Sequence, residues 1–165
     1  MGTDEHLLSV LFLYICIMEA LLGKSLDELK QLAVSLNMSA FVGKQLADWV
    51  YNKRVTDVSQ MTNISLQNRQ RISESYCIGV DSPIDVQTSV DGTKKYLFKV
   101  GSHYIESVYI PEEDRATLCV STQVGCKMNC YFCATGKQGF SAHLTASQIL
   151  NQIFSIPESE KLTNV

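Results

Sequence analysis

Three cysteines in one short segment are the residues of this chain best suited to chemistry. Cys126, Cys130 and Cys133 stand in the run Cys-Lys-Met-Asn-Cys-Tyr-Phe-Cys, with three and then two residues between neighbours. This spacing lets a single loop present three thiolates to an iron–sulfur cube. A four-iron cluster usually takes four Cys ligands, so three ligands leave one iron open to a small molecule. The pattern therefore predicts a 4Fe-4S cluster with S-adenosylmethionine as the occupant of the open site.

Structural zinc is the alternative interpretation of the same residues. Cys119 lies upstream, and the spacing of Cys130 and Cys133 is that of half a common zinc motif. The triad is asymmetric, however, and no second close pair follows it, which favours the cluster. Phe132 precedes the last Cys of the triad, where an aromatic ring can pack beside an adenine; its ordinary structural role is loop packing.

The segments on either side of the loop predict one βα unit. The run from Thr117 to Val124 favours β structure and enters the Cys loop, as expected of a buried parallel strand with a site at its carboxyl end. Thr145 then caps a helix that ends at Pro157, and residues 162–165 resemble the opening of another strand. One βα unit leaves unpaired strand edges, so we expect the chain to end inside a domain. The residues of this helix predicted to face inward are Ile149, Leu150, Ile153 and Phe154.

The first half of the chain is predicted to be helical. Met18 opens a helix-entry sequence, and amphipathic helices follow Ser25, Ser39 and Ser65. Residues 18–78 are therefore expected to form a small helical domain, preceded by an apolar extension over residues 1–17. The domain that starts within 79–165 opens with a β-meander, whose predicted strands cover residues 84–90, 94–100 and 104–110.

Charge and hydropathy limit the classes of partner. The 165 residues carry a net charge of −3, which does not suggest a protein that holds nucleic acid by bulk electrostatics. The run from Leu7 to Ile17 is shorter than the ~20 residues that a membrane span requires, and we expect a cytoplasmic protein without a membrane anchor.

The basic residues in the helical domain have two interpretations. The plain one is a solvated helix face; the alternative is a local RNA-facing surface made of Lys44, Lys53, Arg54, Arg69 and Arg71.

Two motifs carry a resemblance to a known family. The run from Arg115 to Cys126 and the run Ala134-Thr-Gly-Lys-Gln-Gly-Phe140 resemble those of the RlmN-type radical S-adenosylmethionine RNA methyltransferases. The resemblance extends from Met18 to Val165 and includes the stretch Glu106-Ser-Val-Tyr-Ile-Pro, while residues 1–17 lie outside it.

The resemblance implies a fold, a reaction and roles for two further residues. The fold would be α+β: a small N-terminal helical domain, then a β-meander and the first βα unit of a truncated radical-SAM partial (β/α)6 barrel. The reaction would be methylation of adenine C2 in 23S rRNA and tRNA, by a monomer that receives electrons from a donor such as flavodoxin. Glu106 matches the family's proton acceptor, and Cys119 matches a Cys that resolves a protein–RNA adduct. From the residues alone, a solvated Glu and a small apolar Cys in a buried strand are the ordinary alternatives.

The chain also departs from the family pattern. Members continue with a Gly-Glu-Pro segment, further strands and a methyl-accepting Cys, none of which occurs in these residues. We therefore expect the chain to be inactive by itself. Two rival functions stay open at this point: Cfr-type methylation at adenine C8, and a zinc-stabilised RNA-binding module without catalysis.

Overall fold

The computed structural model describes residues 18–165, so the predicted extension over residues 1–17 lies outside the described part. The chain divides into two compact units, one that ends at Gly79 and one that runs from Val80 to Val165. The architecture is mixed, with helices in the first unit and antiparallel sheet with two further helices in the second.

In its described part, the first unit consists of helices and a pair of short parallel strands. The predicted helix entry at Met18 is wrong, because Glu19 and Ala20 instead pair in parallel with Tyr76 and Cys77. A π-helical turn over Asp48–Asn52 and a 3-10 turn over Val58–Gln60 complete the unit. Its elements are β1 (Glu19–Ala20), α1 (Leu26–Ser35), α2 (Ala40–Ala47), α3 (Leu66–Ser73) and β2 (Tyr76–Cys77).

Local hydrogen bonding explains where these helices begin. Ser25 forms a capping box with Glu28 ahead of α1, so that each side chain satisfies a backbone N–H of the other residue. Ser39 and Ser65 cap α2 and α3 through their hydroxyl oxygens. The three predicted helix starts are therefore confirmed. The helices bury an apolar core that includes Leu21, Leu29, Leu46, Val50, Met61 and Ile72.

The second unit is built on a four-stranded antiparallel sheet in the order β3-β4-β5-β6. Its first three strands form the predicted meander. A separate hairpin, β7 and β8, flanks the Cys loop together with a short helix, and a longer helix follows. The elements are β3 (Asp85–Thr88), β4 (Lys94–Val100), β5 (His103–Pro111), β6 (Ala116–Cys119), β7 (Gln123–Gly125), α4 (Ala134–Lys137), β8 (Phe140–His143) and α5 (Ala146–Phe154).

The strand predicted over Thr117–Val124 is wrong in two respects. The segment forms two strands with a break after Cys119, and β6 pairs antiparallel with β5 while β7 pairs antiparallel with β8. We call the residues of this break, Val120–Thr122, the strand switch. A parallel contact does occur at Asn164, which bridges to Thr117 and accepts a hydrogen bond from Leu118 N at 3.0 Å. Residues 162–165, predicted to open another strand, thus form an isolated parallel bridge to β6.

One face of the four-stranded sheet carries the core of the second unit. Tyr96, Phe98, Ile105 and Leu118 are buried there, and α5 packs partly against the same core. The residues of α5 predicted to face inward are only half-buried, and the fully buried side chain of this helix is Gln152. The opposite face of the sheet is open and carries Glu106 on β5 and Cys119 on β6.

Candidate active site

The Cys loop begins at a tight crossing of two backbone segments. Gly125 has φ +69°, and a Cβ at this position would lie 1.7 Å from the carbonyl oxygen of Gly139. The same carbonyl accepts a hydrogen bond from Cys126 N at 2.9 Å. Only glycine allows this approach, so the end of β7 fixes the backbone of the first cysteine.

The other two cysteines lie at the ends of a turn that rests on a short helix. Cys133 N donates to Cys130 O at 3.1 Å, after Asn129 has reversed the chain at φ +46°. Cys133 is the residue before α4, and a Cβ on Gly136 of that helix would lie 2.9 Å from Cys130 N. The loop backbone therefore lies directly against α4, where a larger residue has no room.

The three thiols have the character expected of cluster ligands but do not converge as the structure stands. All three are free and half-buried. Among residues 18–165, no three His, Cys, Asp or Glu side chains lie close enough together to share a metal ion. The donor set nevertheless fits an iron–sulfur cluster, since it consists of thiols alone on a loop whose two turns are held by close backbone contacts. A zinc site with Cys119 as its fourth ligand is not formed in these residues either.

Phe132 is exposed to 91% and is not packed into the loop. Its neighbour Tyr131 is equally exposed, and the ammonium of Lys137 lies 5.5 Å from the centre of that ring. The ordinary packing role considered for Phe132 is therefore absent. Its ring is free to stack on a planar ligand held at the loop.

Glu106 and Cys119 share the open face of the sheet. Val108 is the direct partner of Cys119 across the β5–β6 pair, and Glu106 lies two residues before Val108 on the same face. Cys119 is exposed, so it is not the buried apolar filler that a lone strand cysteine usually is. Glu106 Oε1 forms an ion pair with Lys95 Nζ of the neighbouring strand β4, at 3.0 Å. The carboxylate and the thiol are thus side chains of one surface.

A cleft of about 430 Å³ adjoins Glu106. Its walls come from β5, from the strand switch and from the β7–β8 hairpin that leads into the Cys loop. Polar side chains predominate on the walls, which suits a ligand with many hydrogen-bonding groups. The residues that contribute the polar groups include Glu106, Ser121, Gln123, Thr135, Gln138 and Ser141.

The basic residues of the first unit do not all face solvent. Lys44, Lys53 and Arg54 are exposed, whereas Arg69 and Arg71, predicted to be exposed, are half-buried. Arg69 Nη1 donates to the carbonyl of Ser59 and so supports the 3-10 turn. Lys53 lies 3.7 Å from the centre of the Trp49 ring and is paired with Asp48. The surface available to a polyanion is therefore smaller than the sequence indicated.

Gln152 was not predicted as a functional residue, yet its side chain hydrogen-bonds both the N–H and the C=O of Ser121. The sequence signal that could have revealed it was a polar residue beside the apolar positions Ile149 and Ile153 of an otherwise amphipathic helix.

Within the part of the chain that the structure describes, the helices are too short or too polar to span a membrane.

Comparison with solved structures defines the class of fold. A radical SAM methyltransferase from Sphaerobacter thermophilus superposes with a TM-score of 0.77 and 30% sequence identity, over 87% of this chain and 42% of that chain. The mixed architecture described above is therefore that of a radical SAM methyltransferase over the superposed part.

Comparison by sequence narrows the class to one family. Residues 20–78 match the family model for the ribosomal RNA large subunit methyltransferase N-terminal domain. A probable dual-specificity RNA methyltransferase RlmN from Phocaeicola vulgatus is 58% identical over 88% of this chain and 42% of its own length. The dual-specificity RNA methyltransferase RlmN of Saccharophagus degradans is 41% identical over 88% of this chain and 39% of its own length. The chain thus corresponds to the amino-terminal part of the RlmN family, and the predicted resemblance is confirmed. It spans less than half the length of these relatives.

Proposed function

We propose that this chain serves the methylation of adenine C2 in 23S rRNA and tRNA by radical S-adenosylmethionine chemistry. The observation that carries the proposal is the position of the Cys loop: it leaves β7 beside the cleft whose wall includes Glu106. A site for a redox cofactor and a candidate proton acceptor therefore belong to one compact unit.

The proposal concerns a protein of the relatives' full length, since the chain spans about 42% of the Phocaeicola relative. In such a protein, the sheet and the βα segment would be part of a partial (β/α)6 barrel. The first unit would recognise RNA, with Lys44, Lys53 and Arg54 as its exposed cations. We further propose a cytoplasmic monomer that takes electrons from a small donor protein such as flavodoxin, and we expect the 165 residues alone not to complete the reaction.

Cys126, Cys130 and Cys133 would hold a 4Fe-4S cluster with S-adenosylmethionine at its open iron. When bound, these groups supply the radical that starts methyl transfer. The chain's own contribution is to hold the three thiols on one loop through the backbone contacts at Gly125 and Gly136. Phe132, exposed at the loop surface, would stack on the adenine of the cofactor.

Glu106 and Cys119 would act after the new carbon bond to the adenine ring has formed. That carbon must lose its proton, and a carboxylate on the wall of the cleft can accept it. Cys119, exposed on the same sheet face, would help to resolve the protein–RNA adduct, as the family resemblance implies. Lys95 lies 3.0 Å from Glu106 and holds its carboxylate over this face.

The rival functions receive less support. The relatives from Phocaeicola and Saccharophagus are named RNA methyltransferases, which favours an enzyme over a zinc-stabilised binding module. Methylation at adenine C8 uses the same type of loop, but the relatives from Phocaeicola and Saccharophagus are named RlmN and not Cfr.

Anaerobic reconstitution with iron and sulfide tests the cofactor. The chain should bind about four irons and four sulfides, and the Cys130→Ala variant should retain little of either. Cys77→Ala removes a half-buried cysteine of the first unit and is the matched control. Stoichiometric zinc with no iron would refute the proposal in favour of the binding module.

The reaction itself is tested on RNA by mass spectrometry of the digested nucleosides. A protein that carries these residues at the relatives' full length should give 2-methyladenosine in both 23S rRNA and tRNA fragments. Formation of 8-methyladenosine would instead assign the Cfr-type reaction.

A further inference from the structure

Gln152 of α5 is fully buried, and its side-chain amide makes three hydrogen bonds to the backbone around it. Its Oε1 accepts from Ser121 N at 2.9 Å, and its Nε2 donates to Ser121 O at 2.8 Å. The same Nε2 also donates to Gln148 O at 3.2 Å. The side chain thus supplies both hydrogen bonds that a neighbouring strand would otherwise give to Ser121.

Ser121 occupies the strand switch, where the chain leaves one sheet and enters another. Cys119 ends β6 two residues before it, and β7 begins at Gln123 two residues after it. The Ser121 hydroxyl donates to the carbonyl oxygen of Glu106 at 2.7 Å. One hydrogen-bonded chain therefore joins Gln152 of α5 to the strand switch and then to β5 at Glu106.

We propose that Gln152 is a positioning residue, whose amide fixes the strand switch and thereby sets Cys119, Glu106 and the entry to the Cys loop relative to one another. The catalytic meaning of this arrangement rests on the function proposed above. Gln152 itself does not line the cleft, whereas Ser121 and Glu106 both do. Its effect would pass through the backbone to the residues on the cleft wall.

Only a side chain with both a donor and an acceptor can replace the amide of Gln152 at this buried position. At Ser121, the chain presents a backbone donor and a backbone acceptor to the same side chain. A primary amide can satisfy both at once, whereas an apolar side chain of similar length satisfies neither. Loss of both partners at half-buried Ser121 would favour local opening of the switch.

The preceding residue of α5 offers a matched control. Asn151 Oδ1 accepts from Asp81 N at 2.8 Å, and its Nδ2 donates to Asp81 O at 3.0 Å. Asn151 thus makes the same two-bonded contact from the same helix, but with a backbone segment that is remote from the strand switch in sequence. A variant at Asn151 therefore shows how far hydrogen exchange changes when α5 is held less firmly at a site other than the strand switch.

Amide hydrogen exchange of the whole chain tests the proposal. In Gln152→Met, protection of the Ser121 amide should fall by at least about tenfold, while protection of the Asp81 amide stays within about twofold. Asn151→Leu should show the reverse. Equal loss at Ser121 in the two variants would mean that Gln152 only helps α5 to dock, and would overturn the proposal, as would unchanged protection in Gln152→Met.

Gln152→Glu provides a conservative rescue that a purely packing role would not show. A protonated carboxyl group can accept from Ser121 N and donate to Ser121 O. An ionised one still accepts from Ser121 N but leaves Ser121 O without a donor and repels it, which favours local opening of the switch. Protection of Ser121, corrected for the intrinsic rate, should therefore recover as the pH falls through the carboxyl pKa, which burial raises. A pH-independent profile would count against the proposal, and this variant also replaces Gln152→Met if that one fails to fold.

Methyl transfer by the reconstituted full-length protein gives the functional readout. Gln152→Met should lower kcat by at least about tenfold with little change in KM for RNA, because it displaces groups that act after binding. An unchanged kcat despite lost Ser121 protection would refute the positioning role. If the unsubstituted protein forms no methyladenosine, the proposed function fails, and the exchange experiments still decide whether Gln152 holds the switch.

Discussion

Glu106 and Cys119 project from the same face of two adjacent antiparallel strands, in diagonal positions across the Val108–Cys119 pair. Diagonal neighbours in such a pair are about 7–8 Å apart, so a ligand of nucleobase size can reach both side chains at once. A carboxylate and a thiol that are distant in sequence are thereby placed within reach of one ligand.

Replacement of Glu106 by Gln should abolish most methyl transfer. The amide keeps the size of the side chain but cannot take up a proton, and removal of such a group typically costs 10²- to 10⁴-fold, so we expect a loss of roughly 100-fold or more. Nucleoside mass spectrometry of single-turnover reactions measures the rate. Glu113→Gln changes an exposed carboxylate in the turn after β5 and should leave the rate unchanged.

Replacement of Gly125 by Ala should destabilise the second unit more than replacement of Gly139. Both glycines have positive φ, but a Cβ on Gly125 would meet the Gly139 carbonyl, whereas a Cβ on Gly139 meets nothing within 4 Å. Gly139→Ala should cost about 1 kcal/mol for the strained backbone. Gly125→Ala should cost about 2 kcal/mol more, because the strands must separate.

Urea unfolding of the two glycine variants measures this difference. Equal destabilisation would show that the close approach of β7 and β8 at the first cysteine is not required. Iron binding after reconstitution should follow the same order, with Gly125→Ala the weaker binder.

The buried carboxylate of Glu158 should make the stability of the protein depend on pH. Burial opposes its ionisation, but hydrogen bonds from Lys94 Nζ at 2.5 Å and from Tyr96 Oη at 2.6 Å outweigh burial and lower its pKa below the usual 4.5. A carboxyl whose pKa is lowered on folding stabilises the protein above its unfolded pKa and loses that contribution as the pH falls through the folded pKa.

Thermal unfolding from about pH 3 to about pH 7, a range that includes the unfolded carboxyl pKa, should show the effect. Relative to the unsubstituted chain, Glu158→Gln should be less stable at neutral pH by about 1–3 kcal/mol, and the difference should shrink below pH ~4.5. The exposed neighbour Glu160 gives the control variant Glu160→Gln. A difference that does not change with pH would exclude this ion pair as the cause.

Ser107→Ala should leave the chain as stable or more stable. Ser107 is 1% exposed on the core face of β5, and its hydroxyl has no hydrogen-bond partner within residues 18–165. An unpaired buried hydroxyl costs free energy, so its removal should raise the free energy of unfolding by up to about 1 kcal/mol. Ser121→Ala, which removes the bond to Glu106, should lower it. A destabilised Ser107→Ala variant would imply a partner for this hydroxyl.

Substitution of two basic residues of the first unit should have different effects, one on the affinity for RNA and the other on the stability of the protein. Lys44 is exposed, so Lys44→Ala should weaken tRNA binding and reduce the slope of log affinity against log salt by about 1, without changing stability. Arg69 supports the carbonyl of Ser59, so Arg69→Met should instead cost about 1 kcal/mol of stability. Filter binding at several salt concentrations measures the first effect, with Lys161→Ala as the control. An unaltered slope for Lys44→Ala would remove this residue from the RNA surface.

Features governed by neighbouring residues were predictable from the sequence. The helix starts at Ser25, Ser39 and Ser65 depend on side-chain caps within a few positions. The cap predicted at Thr145 is likewise observed, as a capping box with Gln148. The location of the three thiols on one loop also followed from their spacing.

Features governed by distant residues were not predictable in this way. The run from Thr117 to Val124 has uniform β propensity, yet it breaks at Ser121, where Gln152 provides the hydrogen bonds from a helix that follows much later. Met18 precedes a strand rather than a helix because the edge of Tyr76 and Cys77 is available to Glu19 and Ala20. The half-burial of Arg69 likewise depends on Ser59, in a turn that sequence patterns did not reveal.

The parallel pairing of β1 with β2 joins the first described residues of the helical unit to its last. Closing so long a loop costs entropy before the strand contacts form, so the helices should assemble early and this pair should close late. During synthesis, the unit cannot be completed until Cys77 has left the ribosome. Once closed, the pair prevents the unit from unravelling residue by residue at either end, so that its opening should be a single cooperative event.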